Sequence, residues 1–276
     1  MACNHNCSNC NVKDCDDRSN QSLLAQTAKE NKIKKIIGIV SGKGGVGKST
    51  VTSLLAIEMA KRGYKVGIMD ADITGPSIPK AFGVTKQIVG NGELMFPQIS
   101  NKYGIKLISV NLLIDDPTKP VLWRGPVIGG AVKQFYTDVL WEDLDFLFVD
   151  MPPGTGDVAL TVFQSLPVDE VIIVSTPQDL VAMIVGKAVN MCKMMNIPML
   201  GLVENMSYLT CPCCMEKIHP FGKSQLEEVA QIYNLTPLDQ MPIEPNTASF
   251  VDQGLVEEAN SSCVQRTALA LEKLLK

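Results

Sequence analysis

The residues most able to do chemistry lie in one short run, Ser41-Gly42-Lys43-Gly44-Gly45-Val46-Gly47-Lys48-Ser49-Thr50. It matches G-x-x-x-x-G-K-[ST] and sits between an apolar run that reads as a strand and an amphipathic stretch that reads as a helix. The glycines let backbone amides turn inward around phosphate oxygens, where Cβ atoms would obstruct them. Lys48 is placed to reach the β- and γ-phosphates, and the Ser49 hydroxyl to ligate Mg2+. The helix Thr50–Arg62 presents its N-terminal amides to a triphosphate. Two acidic segments complete this chemistry. Asp70 and Asp72 end one apolar run, the position where open α/β sheets bind ligands. Asp72 is the candidate to orient an attacking water, with Asp70 nearer the Mg2+ shell, since phosphoryl transfer depends on such positioning. Asp150 ends a second run as a Walker-B carboxylate that would hold a water of the same Mg2+. Gly154 and Gly156 follow it in a loop able to respond to the γ-phosphate. Asp157 reads equally well as a helix N-cap.

Sulfur provides the second chemistry. Of nine cysteines, Cys3, Cys7, Cys10 and Cys15 fall in the first fifteen residues, and Cys211, Cys213 and Cys214 within four. Clusters at such spacing indicate metal or iron-sulfur ligation rather than a disulfide framework. Cys211 and Cys214 can reach one metal centre, but a four-iron cluster generally takes four thiolates, so this pair is half a site. A redox dithiol and a bridging zinc are the alternatives. The N-terminal four could enclose one cluster or one zinc. His5 and His219 read as bystanders, and Cys192 and Cys263 as buried apolar filler.

The elements that must hold these residues are legible as short apolar runs. Lys35–Val40, Lys65–Asp70, Ile105–Val110, Asp145–Asp150, Glu170–Ser175 and Met199–Glu204 read as buried strands, with a weaker one at Pro237–Met241. Helical spacing lies between most of them, with Val51, Leu54, Leu55 and Met59 on one face and Leu180–Met195 as a further helix. The fold class expected is α/β, a mostly parallel sheet with helices on both faces. Residues 32–276 read as one domain, and 1–31 as a Cys-rich tail whose part from Ser19 to Asn31 has helical character. Lys and Arg number 25 against 29 Asp and Glu, a net charge of −4, which argues against broad nucleic-acid binding. No apolar run approaches the roughly 20 residues needed to span a bilayer. A soluble cytoplasmic protein is the expectation.

Lys43 makes the phosphate loop a deviant one, K-G-G-x-x-K-[ST], and so resembles the P-loop NTPases that include MinD, ParA and the nitrogenase iron protein. That resemblance implies that Lys43 crosses a homodimer interface to the partner's nucleotide. More specifically, the run Asp70–Pro79, with Trp123-Arg124-Gly125-Pro126, Asp150–Asp157, Thr176-Pro177-Gln178, Glu204-Asn205-Met206-Ser207 and Cys211-Pro212-Cys213-Cys214, resembles the Mrp/ApbC family of iron-sulfur carrier ATPases. The resemblance covers roughly residues 32–276. It implies an ATPase that carries a labile [4Fe-4S] cluster bridged between two subunits by Cys211 and Cys214, and delivers it to apo-proteins. It also implies that Asn205 reads adenine, with backbone near Pro242 in the same pocket, and it favours a cluster at Cys3, Cys7, Cys10 and Cys15. Two departures stand out: the x of C-P-x-C is Cys213, and Phe221-Gly222-Lys223-Ser224-Gln225 replaces a glycine-rich segment. The other readings are a MinD- or ParA-like positioning switch and an ATP-dependent electron donor. Neither a basic surface nor a cationic membrane helix is evident, because Glu257–Lys276 reads as a packed terminal helix.

Overall fold

The structure, a computed structural model, describes residues 24–73, 75–113, 125–178 and 181–276. In chain order its elements are β1 (Lys32–Val40), α1 (Lys48–Lys61), β2 (Val66–Asp70), α2 (Ile78–Ala81), β3 (Gln98–Ile99), β4 (Lys106–Ser109), α3 (Gly125–Thr137) and β5 (Asp143–Asp150). Then follow α4 (Asp157–Ser165), β6 (Glu170–Ser175), α5 (Val181–Met194), β7 (Met199–Thr210), β8 (Lys217–Ile218), α6 (Leu226–Tyr233), β9 (Pro237–Pro242), α7 (Pro245–Gln253) and α8 (Gln265–Lys273).

Unbroken apolar strands have two faces to bury, and successive side chains divide between two layers. Ile37 and Ile39 of β1, Phe146 and Phe148 of β5, and Ile172 and Val174 of β6 join one layer, which α1, α2 and α8 cover. Ile36 and Val40, Leu147 and Val149, and Val171 and Ile173 join the other, which α3, α4, α5 and α6 cover. The strand order is β3-β4-β2-β5-β1-β6-β7-β8, with β9 also on β7. Pairing is parallel except at the short edge strands β3 and β8. β1 lies between β5 and β6, so the loop leaving it opens where the chain turns to opposite sides of the sheet, the usual ligand crevice of such folds.

Three expectations are adjusted. The folded body reaches back before Lys32, because Ala25 is buried and its N–H donates to the Ser165 carbonyl at 2.8 Å. Asn31 Nδ2 likewise donates to the Val139 carbonyl at 2.8 Å. Residues 24–31 are therefore a non-helical strap across the ends of α3 and α4, not part of a helix. The C-terminal stretch is not one helix: 3-10 turns at Val256–Glu258 and Ser262–Val264 precede α8. The break is fixed by polar partners, since Ser261 Oγ donates to Glu58 at 2.7 Å and the Asp239 carboxylate caps α8 through the Thr267 N–H at 2.7 Å. Finally, β7 continues past Glu204 to Thr210, carrying the chain beyond the edge of β6. Among the described residues, no helix is long and apolar enough to cross a membrane.

Candidate functional site

The loop between β1 and α1 turns sharply at Gly47, whose φ of 78° is one that side-chain-bearing residues rarely adopt. It is also packed without slack: a Cβ on Gly47 would lie 2.2 Å from Asn205 Nδ2, and one on Gly42 2.3 Å from the Ile184 carbonyl oxygen. The atom met in the second contact is backbone and cannot swing aside. Gly42→Ala should therefore cost about 2–3 kcal/mol. Denaturation midpoints unchanged from wild type would show that the loop has room that this packing denies.

Lys48 opens α1 and is buried, with Nζ 2.7 Å from Asp150 Oδ1. Ser49 Oγ donates to Asp150 Oδ2 at 2.6 Å, and Thr52 Oγ1 to Oδ1 at 2.9 Å. Thr52 was not singled out in the sequence, although it lies one helical turn after Lys48 and so must share its face. The Ser49 and Asp150 oxygens form a hard-donor pair of the type that takes Mg2+ beside phosphates, so the residues present fit that ion. The remaining loop residues are placed around this centre. Gly44 lies against Pro153, the Gly154 N–H donates to the Ser41 carbonyl at 3.0 Å, and Thr50 borders the cavity described below.

Asp70 sits opposite Asp150 in register between β2 and β5 and is fully buried. Its oxygens accept from Ser109 Oγ at 3.1 Å, from the Asp72 N–H at 3.2 Å and from the Ile78 N–H at 3.4 Å. These bonds turn the carboxyl toward its own loop. They make it an anchor for that loop, in which Asp72 is half-buried. Burial and then the neighbouring Asp150 push the Asp70 carboxyl well above the usual carboxylate range, with Lys48 opposing. The protonated form is thus the one the fold favours. The stability it lends is complete below the ordinary carboxylate pKa and is lost as pH rises through the raised folded value. Asp70→Asn has no such loss, so its stability relative to wild type should climb across that window. Urea midpoints that run parallel with pH for the two proteins would refute this.

Beside the start of α1 lies a cavity of about 260 Å³ whose walls include Thr50, Leu54, Asn205, Met206, Pro242 and Cys263. Asn205 and Pro242, far apart in sequence, thus face one space. Asn205 Nδ2 donates to the Val46 carbonyl at 2.9 Å, while its Oδ1 accepts the Met206 N–H at 2.9 Å. Cys192 is fully buried, but Cys263 is only partly so and belongs to a 3-10 turn. Burial and then Glu244 raise the Cys263 thiol to about 12, so it is inert as a nucleophile at neutral pH.

Lys43, on the phosphate loop, hydrogen-bonds within its own chain to Gln178 Oε1. The other cysteines lie at the end of β7. Cys211 is half-buried and Cys213 and Cys214 are exposed, in the turn that returns the chain through β8. The turn is closed by the Cys211 N–H on the Glu216 carbonyl and the Met215 N–H on the Cys211 carbonyl, both at 2.9 Å. Met215 takes a left-handed φ of 62°. The amides of Cys214 and Cys213 point at the Cys211 sulfur and hold its thiol below the usual range. His219 is occupied elsewhere: its ring Nδ1 is 3.0 Å from the Ser207 carbonyl and its ring packs edge-on to Tyr208. Cys3, Cys7, Cys10 and Cys15, like Thr74, Trp123 and Arg124, lie outside the described residues.

Comparison with known proteins agrees with this geometry. A family described as ParA, NUBPL iron-transfer P-loop NTPase, matches residues 32–275. An iron-sulfur cluster carrier protein of Clostridium perfringens is 47% identical over 233 residues, spanning 82% of this chain and 82% of its own length. One of Methanocaldococcus jannaschii is 44% identical over 260 residues, spanning 92% and 89%. A solved nucleotide-binding protein of Archaeoglobus fulgidus in complex with ADP superposes with a TM-score of 0.74 at 42% identity, covering 82% of this chain and 88% of that one. A MinC–MinD cell division complex from Aquifex aeolicus gives 0.62 at 20% identity, covering 87% of this chain and 95% of that one, a likeness of fold alone.

Proposed function

The chain belongs to the NUBPL iron-transfer P-loop NTPase family, and on that premise we propose that it hydrolyses ATP to load and hand over a labile [4Fe-4S] cluster. Residues Gly42 to Thr50 wrap the triphosphate, with Lys48 on the β- and γ-phosphates and Asn205 and Pro242 at the adenine. Ser49 and Asp150 hold Mg2+, which when bound neutralises developing phosphate charge. Asp72 positions the attacking water. Lys43 exchanges its Gln178 contact for the nucleotide of a second copy. The cluster is cargo, held by Cys211 and Cys214 of two copies. Each copy supplies half a site, two of the four thiolates that a four-iron cluster generally takes. Cys3, Cys7, Cys10 and Cys15 hold a second cluster or a zinc. The partners are apo iron-sulfur proteins in the cytoplasm, without nucleic acid or membrane.

One observation carries this reading: β7 both walls the cavity beside the start of α1, through Asn205, and ends on the exposed cysteine turn. Cargo transfer is tested by mixing the anaerobically reconstituted full chain with an apo four-iron enzyme and following iron. Iron should move to the acceptor and restore its activity faster than free iron and sulfide do. Reduction of the acceptor with all iron retained on this chain would replace the carrier by an electron donor.

A further inference from the structure

The two sites are joined by a piece of backbone that is irregular in a way neither site explains alone. Leu202 to Glu204 of β7 spans Pro237 to Gln240 of β9, and then Glu204 to Tyr208 spans only Gln240 to Pro242. The surplus on β7 is a bulge over Asn205, Met206 and Ser207, and Met206 within it has a φ of 56°. A left-handed conformation for an unbranched apolar residue inside a strand is costly and persists only where its surroundings impose it.

The surroundings are the phosphate loop on one side and the cysteine turn on the other. Asn205 is bonded to the Val46 carbonyl and rests against Gly47, whose imagined Cβ is also 3.6 Å from Met206 Cε. On the far side, the Ser207 carbonyl accepts from His219 at 3.0 Å. A carbonyl can only accept, so His219 carries its proton on Nδ1. His219 follows β8, the arm that closes the cysteine turn, and Lys217 of β8 packs over the Tyr208 ring at 4.0 Å. Glu204 fixes the base of the bulge: buried, it accepts from Ser207 Oγ at 2.6 Å and from the Gln225 N–H at 3.1 Å. Cys211 lies at most roughly 20 Å beyond Asn205 along the strand.

We infer that the β7 bulge at Asn205–Ser207, with His219 as its positioning residue, transmits occupancy of the phosphate loop to the Cys211–Cys214 turn within a single chain. Phosphate entering the loop displaces Val46 and Gly47. Tight packing passes the shift to Asn205 and Met206, and the Ser207–His219 bond passes it to the turn. This rests on the nucleotide and thiol sites of the proposed function, but needs neither a dimer nor a cluster.

The test uses the full chain, reduced and metal-free, with and without saturating MgADP. Alkylation of the peptide containing Cys211, Cys213 and Cys214 by N-ethylmaleimide is timed by mass spectrometry, and ADP affinity is measured in parallel. In wild type, ADP should change the alkylation rate about fivefold or more. His219→Ala should bring the ratio close to one with ADP affinity kept. His219→Asn, whose amide N–H can donate to the Ser207 carbonyl, should restore it. If ADP binds and the wild-type rate does not change, or if the ratio survives in His219→Ala, the inference is overturned and the proposed function stands. If ADP does not bind at all, the nucleotide site itself is refuted, and the inference with it.

Discussion

Lys48→Ala should lower ATP turnover by about a thousandfold or more, because it removes the cation that the proposed function puts on the transferring phosphoryl group. The same substitution strips Asp150 of its only ion-pair partner among the described residues. Asp150 is fully buried, and an uncompensated buried carboxylate costs on the order of 3 kcal/mol. Ser49 and Thr52 still donate to it, which keeps the loss toward the low end of that scale. Turnover must therefore be normalised to folded protein. Lys43→Ala separates the two effects, since its partner is the neutral Gln178 amide and stability should change by less than about 1 kcal/mol. Its turnover should nonetheless fall as far as that of Lys48→Ala if the ammonium acts on the partner's nucleotide.

Mixing the two variants decides where Lys43 acts. In a mixed dimer, the Lys43→Ala chain still has Lys48 at its own nucleotide and receives Lys43 from its partner, so one complete site forms. With random pairing, about a quarter of the wild-type sites are restored from two inactive proteins. A lysine serving its own chain gives no restoration, because each chain then lacks one of its own two cations. Phosphate release by the mixture, against each variant alone, reads this directly. Persistent silence of the mixture, with dimers shown to form, would remove the reciprocal-lysine reading.

Why some of this was legible in the sequence and some was not is a matter of range. The phosphate loop is local: Gly47 is needed because the backbone there has a positive φ, and the strand before it and helix after it are set by neighbouring side chains. Continuous apolar strands likewise announced a sheet buried on both faces, and the parallel order followed from the helices between them. The partners of the Asp70 carboxyl are not legible, because Ser109 lies on another strand and neither it nor the Ile78 amide has a sequence signal pointing back to Asp70. Cys263 looked like core filler because an apolar surrounding reads the same for a helix and for a 3-10 turn beside a cavity. The extent of β7 was missed for a related reason. Past Glu204 its pairing with β6 ends and only β9 and then β8 hold it, and those strands lie later in the chain.

The second large effect concerns sulfur. A Cys211→Ala, Cys214→Ala chain, reconstituted anaerobically in full length, should lose about two irons per chain relative to wild type, half of a four-iron cluster shared by two copies. The broad thiolate-to-iron absorbance near about 400 nm should fall with it, leaving only what Cys3, Cys7, Cys10 and Cys15 hold. Replacing those four by Ala should do the complement, removing the N-terminal share and sparing the bridged one. Cys213→Ala discriminates within the turn. Its amide does more than its sulfur to lower the Cys211 thiol, and Ala keeps that amide, so iron content should be retained. Iron-dependent dimerisation should follow the same pattern, because a site with two ligands per chain closes only when two chains meet, and thiolate binding then becomes association free energy. If the double variant keeps the full iron content after the N-terminal four are also removed, the cluster is held elsewhere and the exposed turn at the end of β7 is not its seat.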